Sequence, residues 1–398
     1  MSTIKVDTIK NRSNAINLPN NFKIDGDSIV QGHTVSATEP SSPEKGDFWW
    51  DSANNKLYRY INSEFKELSL VAADPFWGGD RALRAGRRGS GVAGSTLNLD
   101  YWDITTLGNA ADFGDCDNSV NGTNSTSSDH SASNRSRAIV SRNRNSNNTY
   151  DYFTIPIPGN SAFFGNALET ARSGAGIGDG TYAVFAGGYI NGGPTGTGYR
   201  NDINVFTIDT TGNASDFGNL RRITGFSGGA GNASRGTIFG GQAYVSSYYY
   251  EDEIQYIPLG GVTGNASDFG DMSSGAYRVT AASDATRAVA ILGNAGPNFG
   301  GSSPTNKMEY ITVDTTGNST DFGDLNNFNA NRTERSAACE NETRICISGG
   351  ETSTSSGTVN EYTNEIMYIT TQTTGNAQDF GDLLDGLDQG FSSSGDAS

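Results

Sequence analysis

Short runs in which apolar and polar residues alternate recur along most of this chain, as in Met308-Glu309-Tyr310-Ile311-Thr312 and Ile366-Met367-Tyr368-Ile369-Thr370. A two-residue period puts successive side chains on opposite faces, so these runs predict half-buried strands. Each is preceded by a run of small residues, such as Ala281-Ala282-Ser283 or Ser336-Ala337-Ala338, and often by a Gly-Gly pair, as at Gly187-Gly188, Gly240-Gly241 and Gly349-Gly350. Each is followed by a turn and a short phrase ending in Asp-Phe-Gly. The pattern predicts four strands per unit: small, Gly-Gly-terminated, alternating, and an outer one carrying the phrase.

The phrase returns six times, at Gly108, Gly159 (divergent), Gly212, Gly264, Gly317 and Gly375, with spacings of 51, 53, 52, 53 and 58 residues. A period near fifty marks radial repetition of one small sheet, which cannot bury both faces alone. The expected fold is all-β: a six-bladed kelch-like β-propeller over residues 76–398. Small residues suit the innermost strand, where blades converge, and the phrase's Phe fills the space between blades. The repeat region opens at Arg81-Ala82-Leu83-Arg84-Ala85-Gly86, a second strand lacking its first, and closes at Gln389 to Ser398, a first strand lacking its second. The C-terminal strand is therefore expected to close blade one.

Upstream, Ile4-Lys5-Val6-Asp7-Thr8-Ile9 alternates within a first segment, residues 1–33, and a Ser/Thr/Pro/Glu-rich linker follows over 34–45. Aromatic runs separated by Asn/Ser turns between Gly46 and Leu68 predict a three-stranded meander over 46–70. A module of that size is too small to be stable alone, so a neighbour is expected to cover Phe48, Trp49 and Trp50.

Only 34% of the residues are hydrophobic and 52 are Gly, yet 19 Phe and 17 Tyr argue against disorder. A formal charge of −17 opposes a phosphate backbone and argues against nucleic acid as a partner. No signal peptide and no membrane-spanning run is evident. Two histidines and three cysteines, Cys116, Cys339 and Cys346, form neither a metal set nor a disulfide framework, and no cofactor is expected. Cys339 and Cys346 can face each other across a hairpin, as thiols rather than as a disulfide. Asp-Phe-Gly occurs without the other kinase motifs, and Gly174 to Gly180 lacks the βαβ context of a phosphate loop, so both read as structural.

Three groups are candidates for function. Arginine opens the second strand of five units, at Arg81, Arg137, Arg235, Arg287 and Arg344. The column forms either an anion-attracting ring or a set of hydrogen bonds to carbonyls or Asp within each blade. Arg81, Arg84, Arg87, Arg88, Arg135, Arg137, Arg142 and Arg144 fall in the first two units, eight of 27 basic residues, and suggest a docking patch for an acidic partner. The segments after Gly188, Gly241, Gly293 and Gly350 vary most between units. They or their flanks carry Tyr189, Tyr199, Tyr244, Tyr248, Tyr249, Tyr250 and Tyr362, read as binding loops on one face.

The blade pattern resembles the kelch repeat, with Asp-Phe-Gly where kelch has its outer Trp. The opening Ser2-Thr3-Ile4-Lys5-Val6-Asp7-Thr8-Ile9 with Ile16-Asn17-Leu18-Pro19, the Gly46 to Leu68 meander and the Thr-Gly-Asn-Ala-X-Asp-Phe-Gly phrases together resemble virion structural or tail-fibre proteins of marine tailed phages infecting cyanobacteria and related bacteria. The resemblance covers nearly the whole chain. It implies a non-enzymatic virion protein assembled in the host cytoplasm, with residues 1–70 docked on other virion proteins, a homo-oligomer, and a propeller meeting a host envelope saccharide or protein. The alternative is a purely architectural tail or capsid decoration. A glycan-cleaving enzyme would need paired carboxylates at a pocket, whereas the Asp residues here sit mostly in repeated turns.

Overall fold

The computed structural model of this protein describes the chain except for residues 1–22, 25–26, 29–32, 55, 62, 69–77, 89–97, 116–129, 142–147, 170, 191–197, 245–246, 297–302, 326–331, 335, 354–359 and 398. Cys116 and the opening alternation at Ile4 to Ile9 lie outside the described residues. The chain divides into two compact units, Met1–Pro75 and Phe76–Ser398, and every described regular element is a strand.

In the first unit the meander is a four-stranded sheet. His33–Ser36 lies parallel to Phe48–Asp51, which pairs antiparallel with Lys56–Ile61, itself paired with Glu64–Leu68. The expected linker therefore begins with a strand. Its alternation, His33-Thr34-Val35-Ser36, is short enough to be overlooked, and the parallel partner lies beyond an intervening connection. The extra strand also gives Trp49 a polar partner, for its indole N–H donates to the Ser36 carbonyl and hydroxyl at 3.2 and 3.1 Å. Trp49 stacks on Tyr58 at 4.9 Å and meets Phe65 edge-on at 5.4 Å. Phe48 and Trp49 are 6% and 7% exposed, and Trp50 is half-buried. Phe48 and Trp49 are thus already covered within this chain, where the sequence reading expected a neighbour to cover them.

Among the described residues the second unit contains six four-stranded antiparallel sheets and two small three-stranded ones. The first combines Leu387–Gly395 with Arg81–Arg88, Asn98–Asp103 and Ala111–Asp115. The second is Ser131–Ser133, Arg137–Ser141, Thr149–Thr154 and Ala162–Asn166, and the third Ala175–Gly178, Tyr182–Tyr189, Tyr199–Thr207 and Ser215–Thr224. Gly228–Gly231, Arg235–Tyr244, Tyr248–Pro258 and Ser267–Asp271 make the fourth, and Thr280–Ser283, Arg287–Ile291, Lys307–Thr312 and Thr320–Asp324 the fifth. Ala337–Glu340, Arg344–Ser348, Glu365–Thr370 and Gln378–Asp382 make the sixth.

The first strands of successive sheets touch in sequence order, and those of the first and second sheets also touch. Their small side chains follow from that closeness: a Cβ on Gly229 would lie 2.6 Å from the Gly176 carbonyl oxygen, and the Ser131 hydroxyl donates to the Ser392 carbonyl at 2.9 Å. The second strands are buried on both faces, so Ile345, Cys346 and Ile347 are all fully buried and alternation fades there. Cys339 and Cys346 are cross-strand partners and remain free thiols.

Three kinds of contact recur between successive sheets. The phrase of one unit lies along the outer strand of the preceding sheet: Gly212, Gly264, Gly317 and Gly375 N–H donate to the carbonyls of Phe164, Phe217, Phe269 and Phe322 at 2.8–3.0 Å, and Gly108 N–H to that of Phe380 at 3.0 Å. The phrase Asn accepts a return bond, as in Asn219 N–H to Asn265 Oδ1 at 3.0 Å. These bonds occupy edge groups that would otherwise invite another strand. At Gly218, φ is +144° and a Cβ would stand 2.6 Å from the Gly264 carbonyl carbon, which is why the phrase ends in glycine. The phrase's Phe is the second contact: Phe269 packs with Ala288, Ile311 and Val313 of the following sheet, and Phe380 with Trp102 and Ile104 of the first.

The arginine column is the third. Arg137, Arg235 and Arg287 lie 4.4, 4.5 and 4.3 Å over Tyr152, Tyr256 and Tyr310 of their own sheets. Their guanidinium groups donate to the carbonyls of Ile208, Val313 and Thr371 in the next sheet at 2.9–3.1 Å. Arg344 reaches back to Ile104 and Thr105 of the first sheet at 2.9 Å. The column thus bonds carbonyls, but of the neighbouring sheet, where the sequence reading placed them within each blade.

Candidate functional site

First-strand residues of the six sheets line a channel-like space. At one end, about 80 Å³ of cavity is bounded by Ser173, Phe226, Ser227, Arg278, His130 and the glycines of the small strands. A second cavity, of about 50 Å³, lies beside Glu340. The mouth is built by one local feature used three times. Ser173, Phe226 and Arg278 each precede a first strand by two residues, and each has a left-handed backbone, with φ of 58°, 62° and 60°. For a residue as bulky as Phe226 this is a strained conformation. It turns the Phe226 N–H onto the Ser173 carbonyl and offers the Phe226 carbonyl to the Val279 N–H at 3.2 Å, so a backbone chain links three sheets around the mouth.

Behind the rim, His130 is buried, its Nε2 2.9 Å from the Tyr150 hydroxyl and its Nδ1 accepting from Gly174 N–H at 3.3 Å. Burial pushes its pKa down to about 4, so it is neutral at ordinary pH. Glu340 faces the channel's water-sized space, hence partly accessible, but protein surrounds it and desolvation raises its pKa to about 8. The Ser173 and Ser227 hydroxyls are buried, in residues 1% and 5% exposed, and find no hydrogen-bond partner among the described residues.

An aromatic cluster extends outward from Phe226. Its ring is 6.0 Å from Tyr189 and 5.1 Å from Tyr277; Tyr189 lies 5.1 Å from Tyr199, and Tyr199 6.3 Å from Tyr248, which is 5.0 Å from Tyr244. Tyr250 stacks on Tyr277 at 5.1 Å, and Arg278 and Arg172 lie over Tyr277 and Tyr189.

The candidate tyrosines are therefore not loop residues. Tyr189, Tyr199, Tyr244, Tyr248, Tyr249 and Tyr250 belong to strands that continue the second and third strands past the Gly-Gly bulge, and Tyr362 to the short strand Asn360–Tyr362. Cross-strand pairing explains the difference: Tyr244, Ala243 and Gln242 face Tyr248, Tyr249 and Tyr250. Tyr199 and Tyr250 are buried at 4% and 7%, Tyr248 is 43% exposed, and the rest are half-buried. The Tyr199 hydroxyl is bonded to Gln242, and burial pushes its pKa well up. Tyr249 donates to Glu251 at 2.9 Å. The tips of these hairpins, 191–197, 245–246, 297–302 and 354–359, lie outside the described residues.

The arginine docking patch is not assembled as expected. Arg84 is fully buried, and its guanidinium bonds the carbonyls of Ala85 and Phe391 beside Asp100. Arg81 donates to Ile155 and Pro156 at 3.1 and 2.8 Å, and Arg137 is committed to Ile208. Arg135 is exposed and 3.5 Å from Asp396. Side chains of Arg87, Arg88, Arg142 and Arg144 lie outside the described residues. Three of the four described arginines, Arg81, Arg84 and Arg137, are thus committed to carbonyls within the protein.

The mouth residues escaped the sequence reading. Their signal was a large residue abutting a small-residue run, Phe226 before Ser227-Gly228 and Arg278 before Val279-Thr280; for Glu340 it was a charge ending the apolar Ala337-Ala338-Cys339. Among the described residues no group of three His, Cys, Asp or Glu could hold a metal ion, and no helix is long and apolar enough to cross a membrane.

No protein-family model and no curated protein matches this chain. Among solved structures it is similar to one described as "Structure of YjhT", at 10% identity and a TM-score of 0.53, over 67% of this chain and 87% of that one. That likeness concerns the fold alone. With the repeated four-stranded sheets it makes the Phe76–Ser398 unit all-β and propeller-like.

Proposed function

We propose that the six sheets are blades of one ring closed by Leu387–Gly395, and that the ring is the non-enzymatic, outward-facing part of a virion appendage or tail fibre. The cyclic order of inter-sheet contacts supports the ring. The observation that carries the binding role is the aromatic rim: paired strands extend past the bulges of the third and fourth sheets and hold exposed Tyr248 beside half-buried Tyr244, with Tyr199 between Tyr248 and Tyr189. Tyr faces presented at low conformational cost suit a host saccharide or protein surface. Met1–Pro75 would dock on other virion proteins in a homo-oligomeric assembly, with neither nucleic acid nor a cofactor as partner. The architectural alternative draws support from Tyr199 and Tyr250, whose burial spends part of the rim on internal packing.

The test uses phage particles carrying this sequence. An antibody to the chain should label their tail or appendage, and purified protein should compete with them for adsorption to host cells. Unlabelled particles overturn the virion assignment, and labelled particles without competition leave only the architectural role.

A further inference from the structure

The outer strand of the second sheet departs from a pattern that the other five keep. In those five the residue before the buried phrase Phe is an exposed aspartate, at Asp112, Asp216, Asp268, Asp321 and Asp379. In the second sheet Phe164 is the buried one, and Phe163 stands in the aspartate's place, 56% exposed. The turn entering that strand departs in the same direction: Ile157 is 66% exposed where four other units carry exposed Thr106, Thr210, Thr315 and Thr373. Leu168, just past the strand's far end, is also more than half exposed. Of the eight exposed large hydrophobic residues among the described ones, three thus fall within residues 157–168 along one outer edge.

Packing within the chain does not account for the exchange. Phe164 packs with Phe206 and Ile208 of the third sheet, as its counterparts pack with their own neighbours, and the carbonyls of Phe164 and Asn166 accept from Gly212 and Ala214 N–H at 3.0 and 2.9 Å. The next phrase therefore covers the strand's backbone edge, and an occupant must meet side chains instead. Charge narrows the occupant. Ala162–Asn166 contains no charged residue, whereas each of the other five outer strands contains at least one carboxylate. Copies of a chain of formal charge −17 repel one another, and this is the one outer strand of the six at which two copies meet without apposing strand carboxylates. A basic partner would find better ground on the other five. An uncharged apolar strip is complementary to itself, which is what an interface about a twofold axis requires.

We propose that the outer strand Ala162–Asn166, with Ile157 and Leu168, is a contact between two copies of this chain, paired about a twofold axis so that Phe163 of each copy is covered by the same strip of the other. The exposed apolar surface is on the order of 300 Å² per copy, well below the roughly 800 Å² per partner of a standard interface, so the pairing is weak and reversible, with a Kd of about 10–100 µM. The contact goes beyond the appendage reading and depends neither on it nor on any assembly through Met1–Pro75.

Sedimentation velocity of the full chain from about 1 to about 300 µM tests the contact. The parent should double in mass across that range, whatever its state at the dilute end. The doubling should be more complete at high salt, which screens the repulsion between acidic copies and leaves an apolar contact intact. Phe163→Asp restores the residue of the other five units at an exposed position, so it should keep the parent's melting temperature and weaken the association at least about tenfold. Ile157→Thr, the residue of four counterparts, should weaken it about fivefold. Val262→Asp, which adds the same charge at an exposed apolar residue of the fourth sheet's turn, should leave the association unchanged. A parent that keeps one mass at every concentration and salt overturns the proposal, and so does a Phe163→Asp variant that associates like the parent. Equal weakening by Val262→Asp, or an association that salt dissolves, would show repulsion or ion pairing rather than this strip to be in control, and would overturn it too. If Phe163→Asp melts early, Ile157→Thr decides, and parent-like association in that variant removes the strip from the interface.

Discussion

Gly218 and Gly264 meet at the same inter-sheet contact, yet replacing each by Ala should have opposite consequences. At Gly218, φ is +144°, and an added Cβ would sit 2.6 Å from the Gly264 carbonyl carbon. The backbone strain is worth about 1–3 kcal/mol. Relieving the clash pushes the next phrase away, weakening the 2.8 Å bond from Gly264 N–H to the Phe217 carbonyl and the 3.0 Å bond from Asn219 N–H to Asn265 Oδ1. At about 1 kcal/mol for each bond, Gly218→Ala should cost about 4 kcal/mol in all. With an unfolding entropy of about 2 cal/mol/K per residue, a unit of this size loses about 1.5 °C per kcal/mol, so the variant should melt about 6 °C below the parent. At Gly264 nothing stands within 4 Å of an added Cβ and the backbone is outside the left-handed region. Gly264→Ala should therefore be neutral or stabilise by up to about 1 kcal/mol, by reducing the freedom of the unfolded chain. Thermal unfolding followed by circular dichroism measures both. Two variants melting within about 2 °C of each other would refute the interlocking role of the phrase.

Glu340 should give the protein a pH-dependent stability. Its carboxyl, raised to about 8, stays protonated in the native state from pH 4.5 upward while the unfolded chain has released that proton, so stability falls as pH rises towards 8. His130, lowered to about 4, acts oppositely below pH 6.5, where the unfolded chain is the better proton binder, so the net decline should appear between pH 6.5 and 8. Urea unfolding across that range should show a decline of a few kcal/mol at most, reduced by channel water, that Glu340→Gln abolishes; equal slopes in parent and variant would sink the assignment. On the rim, Tyr248→Ala should change stability by no more than about 0.5 kcal/mol, whereas Tyr250→Ala, which removes a buried ring stacked on Tyr277, should cost about 3 kcal/mol. Similar unfolding midpoints for the two would show that their different burial does not matter.

Local chemistry determined by the sequence alone was legible wherever one residue type answered one local demand. The two-residue period of Met308 to Thr312 gave a strand, the small-residue runs gave strands with no room for bulk, and the returning phrase at a spacing near fifty gave repeated sheets. Each such signal comes from a constraint within a few residues. Tertiary structure decided what depends on partners distant in the chain. Arg84 and Arg135 are both arginines near a strand, but only pairing with Phe391 and Ser392 places the first in the core. Tyr248 and Tyr250 are two residues apart in a Tyr-Tyr-Tyr run, and only packing against Tyr277 buries one of them. The channel mouth is the extreme case, since Ser173, Phe226 and Arg278 are about fifty residues apart and acquire a common role only when three sheets converge. Alternation and repetition report which faces are covered, whereas the identity of what covers them is a non-local property that the fold alone supplies.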